Sequence, residues 1–142
     1  MSIADNAPDL ATALTAVRLS LHVGAACVFV GGQLVVAGLL PTVRALGTEA
    51  PRRVARAFAR LSWPAFIVLV ATGIWNVGAV HAFSASPPYK IVLWTKIGVV
   101  AMAGIAAAAH SVARSRPLIA ATGTLSGIAS LAALVLGVVL AG

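Results

Sequence analysis

Residues 14–41 read LTAVRLSLHVGAACVFVGGQLVVAGLLP, and Arg18 is the only formally charged side chain among them. The hydrocarbon core of a bilayer is ~30 Å thick and takes about 20 apolar residues in an α-helix rising ~1.5 Å per residue. The stretch exceeds that length. It also exceeds the apolar segment of a secretory signal, which holds about 7–15 residues behind a basic start. Met1 to Leu10 instead carries Asp5 and Asp9, with no lysine or arginine. The segment is therefore predicted to be a membrane-spanning helix over about 14–40, closed by Pro41.

Three further stretches meet the same criterion, at about 61–80, 91–113 and 118–141, each bounded by charge, proline or a polar cluster. The whole chain has 142 residues, of which 61% are hydrophobic and 9% charged. A soluble domain carries about 25% charged residues, so this composition calls for an apolar solvent. The fold predicted is an all-α, integral membrane four-helix bundle. Residues 1–13 form an extracytoplasmic tail, and residues 14–142 form a single four-span domain.

Charge placement orients the bundle. The loop between the first two spans holds Arg44, Arg52, Arg53, Arg56 and Arg60, and the loop between the last two holds Arg114 and Arg116. The middle loop, HAFSASPPYK, holds one lysine. Basic loops stay in the cytoplasm, so both termini are predicted outside, in the cell (cytoplasmic) membrane. PRRVARAFAR (51–60) interleaves arginines with Val54, Ala57 and Phe58, the pattern of a short amphipathic helix lying on an anionic leaflet and leading into the second span. Pro64 is placed to kink that continuation. The net charge of +7 thus has a topological account. There is neither a basic face free of apolar residues nor an aromatic-lined strand pattern, so nucleic acid is excluded as a partner. Lipid is the expected surrounding. Gly123-Thr-Leu-Ser-Gly127 offers a close-packing motif, inside the bundle or between copies of the chain.

Inside a membrane the polar residues carry the information, because they are costly and face the protein interior. At about 100° per residue, Arg18, His22, Phe29 and Gln33 share one face of the first helix. Ser62, Thr72 and Asn76 share a looser stripe on the second, and Tyr89, Lys96, Ala103 and His110 one on the third. Thr122, Ser126 and Ser130 line up on the fourth. Four stripes pointing at one seam is the simplest arrangement. Counting from the outer ends, His22, Asn76 and Lys96 fall in one layer, ~7–10 Å deep. His110 lies about 20 Å below Lys96, too far to share a metal ion with His22.

Each residue also has a structural account. Lys96 can snorkel along its stem, a neutral His22 can bond a backbone carbonyl, and His110 lies near the interface. His81 lies in a loop, where it is solvated. Trp63, Trp75, Trp94 and Tyr89 fit an interfacial aromatic belt. Cys27 and Met102 lie off the stripes of His22 and Lys96. No Asp or Glu falls in any predicted span, which removes a carboxylate proton relay.

LHVGAACVFVGGQLVVAGLLP resembles the first helix of the copper-resistance protein D (CopD) domain in its Leu-His, aromatic and Gly-Gly elements. RRVARAFARLSWPAFIVLVATGIWNV resembles the arginine-led second helix ending in Thr-Gly. PPYKIVLWTKIGVVAMAGIAAAAH resembles the third, a tyrosine followed by a helix with an embedded lysine. The same pattern is similar to that of HemJ-type protoporphyrinogen oxidases. The resemblance covers about residues 16–112 and implies a four-helix bundle binding copper or haem b. It maps the HemJ-type histidine to His22, the proline segment to Pro41, the lysine to Lys96 and a second histidine to His110. In the copper case His22 and His81 are the expected imidazole ligands near the outer face. In the haem case His22 is the axial ligand, and Lys96 contacts the propionates or handles protons; Asn76 and His110 complete the candidate cofactor-binding set. Three functions follow as expectations: copper handling, a haem-dependent porphyrinogen oxidase, and a structural or assembly subunit of a larger membrane complex.

Overall fold

The structure, a computed structural model, describes residues 10–141. Four helices account for nearly all of them: α1 (Ala13–Ala45), α2 (Ala50–Ala79), α3 (Pro87–Val112) and α4 (Arg116–Ala141). All four are long and apolar enough to cross a membrane. Among the described residues there is no strand, and the architecture is an all-α four-helix bundle. The tail expected over residues 1–13 falls mostly outside the described residues.

The helix starts follow local chemistry. Thr12 caps α1, its hydroxyl accepting the Thr15 backbone N–H at 3.3 Å and satisfying one of the donors that a helix start leaves free. Prolines stand in the first turns of α2 and α3, where their missing N–H costs nothing. His81 adopts a left-handed backbone, φ 48°, which turns the chain out of α2 into a single 3-10 turn, Ala82–Ser84.

Two boundaries differ from the sequence reading. Pro41 does not close α1, which continues to Ala45. A proline removes one backbone donor and crowds the carbonyl four residues back, a local defect that the residues beyond it survive through their own hydrogen bonds. The arginine-rich segment is likewise no separate helix lying flat before the second span. It forms the first turns of a 30-residue α2, about 45 Å long at ~1.5 Å per residue. Its amphipathic character holds: Arg52, Arg53, Arg56 and Arg60 are exposed. Phe58 instead turns inward onto Gly32 of α1, where there is no room for a Cβ. A π-helical turn, Cys27–Gly31, interrupts α1 at its middle.

The packing is that of two antiparallel hairpins. Along α1/α2, Gly32 faces Phe58, Phe29 stacks on Phe66 with ring centroids 4.9 Å apart, and His22 meets Thr72. Along α3/α4, His110 meets Ile119, Ser126 donates to the Ala103 carbonyl at 3.2 Å, and Lys96 reaches Gly137. Ala103 and Ala129 are 2% and 1% exposed; their small side chains let backbones approach where lipid gives no hydrophobic reward for association. Between hairpins the links are few. Gln33 donates to Ser130 at 3.3 Å, and Phe66 fills the space beside Gly104. An apolar groove of about 480 Å³ runs between α2 and α3, lined by Trp63, Phe66, Val70, Ile97, Val100 and Gly104 among others. Large apolar side chains such as Ile67, Ile74, Ile105 and Val138 cover the outside.

Candidate functional site

Each predicted stripe faces inward. Arg18 and Phe29 on α1, Ser62 and Thr72 on α2, Ala103 on α3, and Ser126 and Ser130 on α4 are buried. His22, Gln33, Asn76, Lys96, His110 and Thr122 are half-buried. The candidate site lies in the layer of His22.

The Nδ1 of His22 lies 2.8 Å from the Thr72 hydroxyl. That hydroxyl carries one proton, and its own helix claims it: Thr72 donates to the Val68 carbonyl at 2.7 Å, with Leu69 at 3.2 Å. This return bond to the preceding turn is the habit of a threonine within a helix. With that proton on the Val68 carbonyl, the Thr72 oxygen accepts from His22, the arrangement of the tautomer that carries its proton on Nδ1 and a lone pair on Nε2. Such an outer partner fixes the tautomer and orientation of a metal-binding imidazole. Gly73 completes the setting, since a Cβ there would stand 3.7 Å from His22 Cε1.

Lys96 reaches the same layer from α3. Its ammonium lies against Gly137 of α4, where a Cβ would sit 3.0 Å from Nζ. Among the described residues the one acid, Glu49, lies between α1 and α2. Arg18 is one turn above His22 on the same face and only 7% exposed. Among the described residues, neither its Nε nor its Nη1 has a hydrogen-bond partner, and the same holds for Asn76 Oδ1.

Two predicted residues stand apart from this layer. His110 is at the other end of α3, its Nδ1 donating to the Ile119 carbonyl at 2.9 Å and its ring lying against Gly123; it clamps α3 to α4. His81 is exposed in the connection after α2, nine residues beyond Thr72 and ~13 Å further along at helical rise. Cys27 and Met102 are exposed. Among the described residues no three His, Cys, Asp or Glu side chains gather as a metal set. Gly123 lies against the His110 ring, and Gly127 faces the Gln33 amide, where a Cβ would stand 3.8 Å from Oε1. Spacing alone assigned no role to Thr72, and none to Arg18 beyond its place on the stripe. The signal for both was present, since each stands one turn or one stripe from a candidate residue. Comparison with models of known families, with curated proteins and with solved structures gives no match.

Proposed function

We propose that this chain is a CopD-like, multi-pass protein of the cell membrane that binds haem b, with His22 as ligand to the iron. The observation that carries this reading is the bond from His22 to Thr72, which leaves Nε2 unprotonated and aimed by a second helix. Haem suits the donor set better than copper does. A copper ion bound by protein alone needs several ligands, and this layer supplies one imidazole. A haem brings four nitrogens of its own and needs from the protein as little as one axial group. Its propionates are anionic, and Lys96 offers a cation that has no carboxylate partner among the described residues. When bound, the group supplies one-electron redox chemistry. The chain's own part is to orient the imidazole through Thr72 and to balance negative charge through Lys96.

An absorption spectrum of the purified protein tests this. A Soret band that disappears in His22→Ala, with iron and no copper in the metal analysis, is the expected result. Copper without pigment would replace haem with the copper-handling reading. Neither metal nor pigment would leave a scaffold subunit. Oxidation of porphyrinogens in the manner of the HemJ-type enzymes is the catalytic form of the haem reading, and failure to restore that step in cells lacking it removes the enzymatic form.

A further inference from the structure

The register that joins His22 to Thr72 has a consequence one turn further out. The two helices are antiparallel, so four residues back on α1 and four residues on along α2 bring Arg18 level with Asn76. Arg18 is 7% exposed, and among the described residues its Nε and Nη1 are without partners and Asn76 Oδ1 is buried without one. A guanidinium without partners inside a membrane is costly. The two helices therefore present unmet donors and an unmet acceptor at one level, not bonded to each other directly. Arg18 stands five residues inside the start of α1, ~8 Å along the axis, within reach of the headgroup zone. The surface around it is apolar: Leu14, Val17 and Leu21 on α1 and Ile74 on α2 are all exposed.

We infer that Arg18 and Asn76 form a binding site for a phosphate group that carries its own hydrogen-bond donor, as a phospholipid headgroup with a hydroxyl or ammonium does. The phosphate oxygens accept from the guanidinium in the fork geometry that arginine favours. The headgroup O–H or N–H donates to Asn76 Oδ1. The acyl chains lie along the apolar exterior. A bare carboxylate satisfies Arg18 alone and leaves Asn76 unmet, which is why a phosphate with a donor is the better occupant. This inference is independent of whether His22 binds a metal.

Retention of lipids by the purified full-length protein, measured by native mass spectrometry after exchange into vesicles of defined composition, tests it. Phosphatidylglycerol and phosphatidylethanolamine both carry a donor; phosphatidylcholine does not. Retention of the first two at least tenfold above the third is expected in the unaltered protein, a comparison that requires no variant. Asn76→Leu should abolish that preference while keeping lipid bound, and Arg18→Gln should release all three, with Arg18→Lys retaining part of the binding. Displacement of the lipids by millimolar inorganic phosphate would assign the same two residues to a soluble phosphate source. Equal retention of the three lipids, unchanged in Arg18→Gln, overturns the inference. So does a loss confined to the Soret band in Arg18→Gln, which would hand Arg18 to the haem. A colourless protein that keeps the lipid preference sinks the haem reading and leaves this one standing.

Discussion

The imidazole Nδ1 of His22 and the hydroxyl of Thr72 share a hydrogen bond across 2.8 Å, between helices and fifty residues apart in sequence. With the Thr72 proton on the Val68 carbonyl at 2.7 Å, the Thr72 oxygen is the acceptor in the bond between them. A histidine turned into a defined donor on one side is a defined acceptor on the other.

Thr72→Val removes the acceptor and keeps the shape of the side chain. Loss of such a partner weakens a ligand site about 10–100-fold. Titration of the purified variant with haemin should show that fall, and Thr72→Ser should recover most of it. Unchanged affinity in Thr72→Val would mean that the Thr72 bond does not tune the ring.

Gly137 sets the position of Lys96. A Cβ at Gly137 would stand 3.0 Å from the ammonium, the far end of a flexible chain. Gly137→Ala should therefore be accommodated by a small shift of Lys96, whereas Gly137→Leu should displace the ammonium and reproduce the haemin affinity of Lys96→Met. Wild-type affinity in Gly137→Leu would show that Lys96 does not need this position.

The hairpins are joined by Gln33 and Ser130, and hydrogen bonds between membrane helices contribute about 0.6–2 kcal/mol. Ser130→Ala and Gln33→Leu should each destabilise the protein by roughly that amount, and the double variant should cost no more than the worse single one. Thermal unfolding in detergent reads the difference, and strict additivity would show that the two side chains do not interact.

Gly123 lies against the His110 ring, with space for a Cβ only 3.0 Å from Cε1. Gly123→Val forces that ring away and should loosen the α3/α4 pair, since overpacking costs about 1–3 kcal/mol. The oligomeric state, measured by light scattering, should not change. A shift in oligomeric state at unchanged stability would return the glycine pair to an intermolecular role.

Orientation can be read by thiol labelling after Cys27→Ala. A single cysteine introduced at Arg44 or Ser115 should be shielded from an impermeant reagent in intact cells, and one at Ser84 should react. The reverse pattern would invert the topology that the arginine distribution implies.

How far the chain could be read without coordinates follows from what each signal depends on. Hydropathy, the arginine loops and the helical stripes are one-dimensional: the thickness of a bilayer and the cost of a polar group inside it act on each segment separately. They gave four spans, and they turned Arg18, His22, Thr72, Lys96 and Ser130 inward before any neighbour was known. Helix ends were less legible, because α1 passes Pro41 and α2 absorbs the arginine segment. At these ends the hydropathy falls while the backbone hydrogen bonds continue.

What the tertiary structure alone decided is the pairing. A hydrogen bond requires an approach near 3 Å along a set direction, and that depends on the rotation and register of two helices together. Hence His22 meets Thr72, Lys96 comes to rest against Gly137, and Gly123 of the α4 motif is packed by the His110 ring. For the same reason Arg18 and Asn76 share a layer with buried polar atoms unmet. Sequence determined which residues face the seam, since that is a property of each helix; contact across it belongs to the bundle.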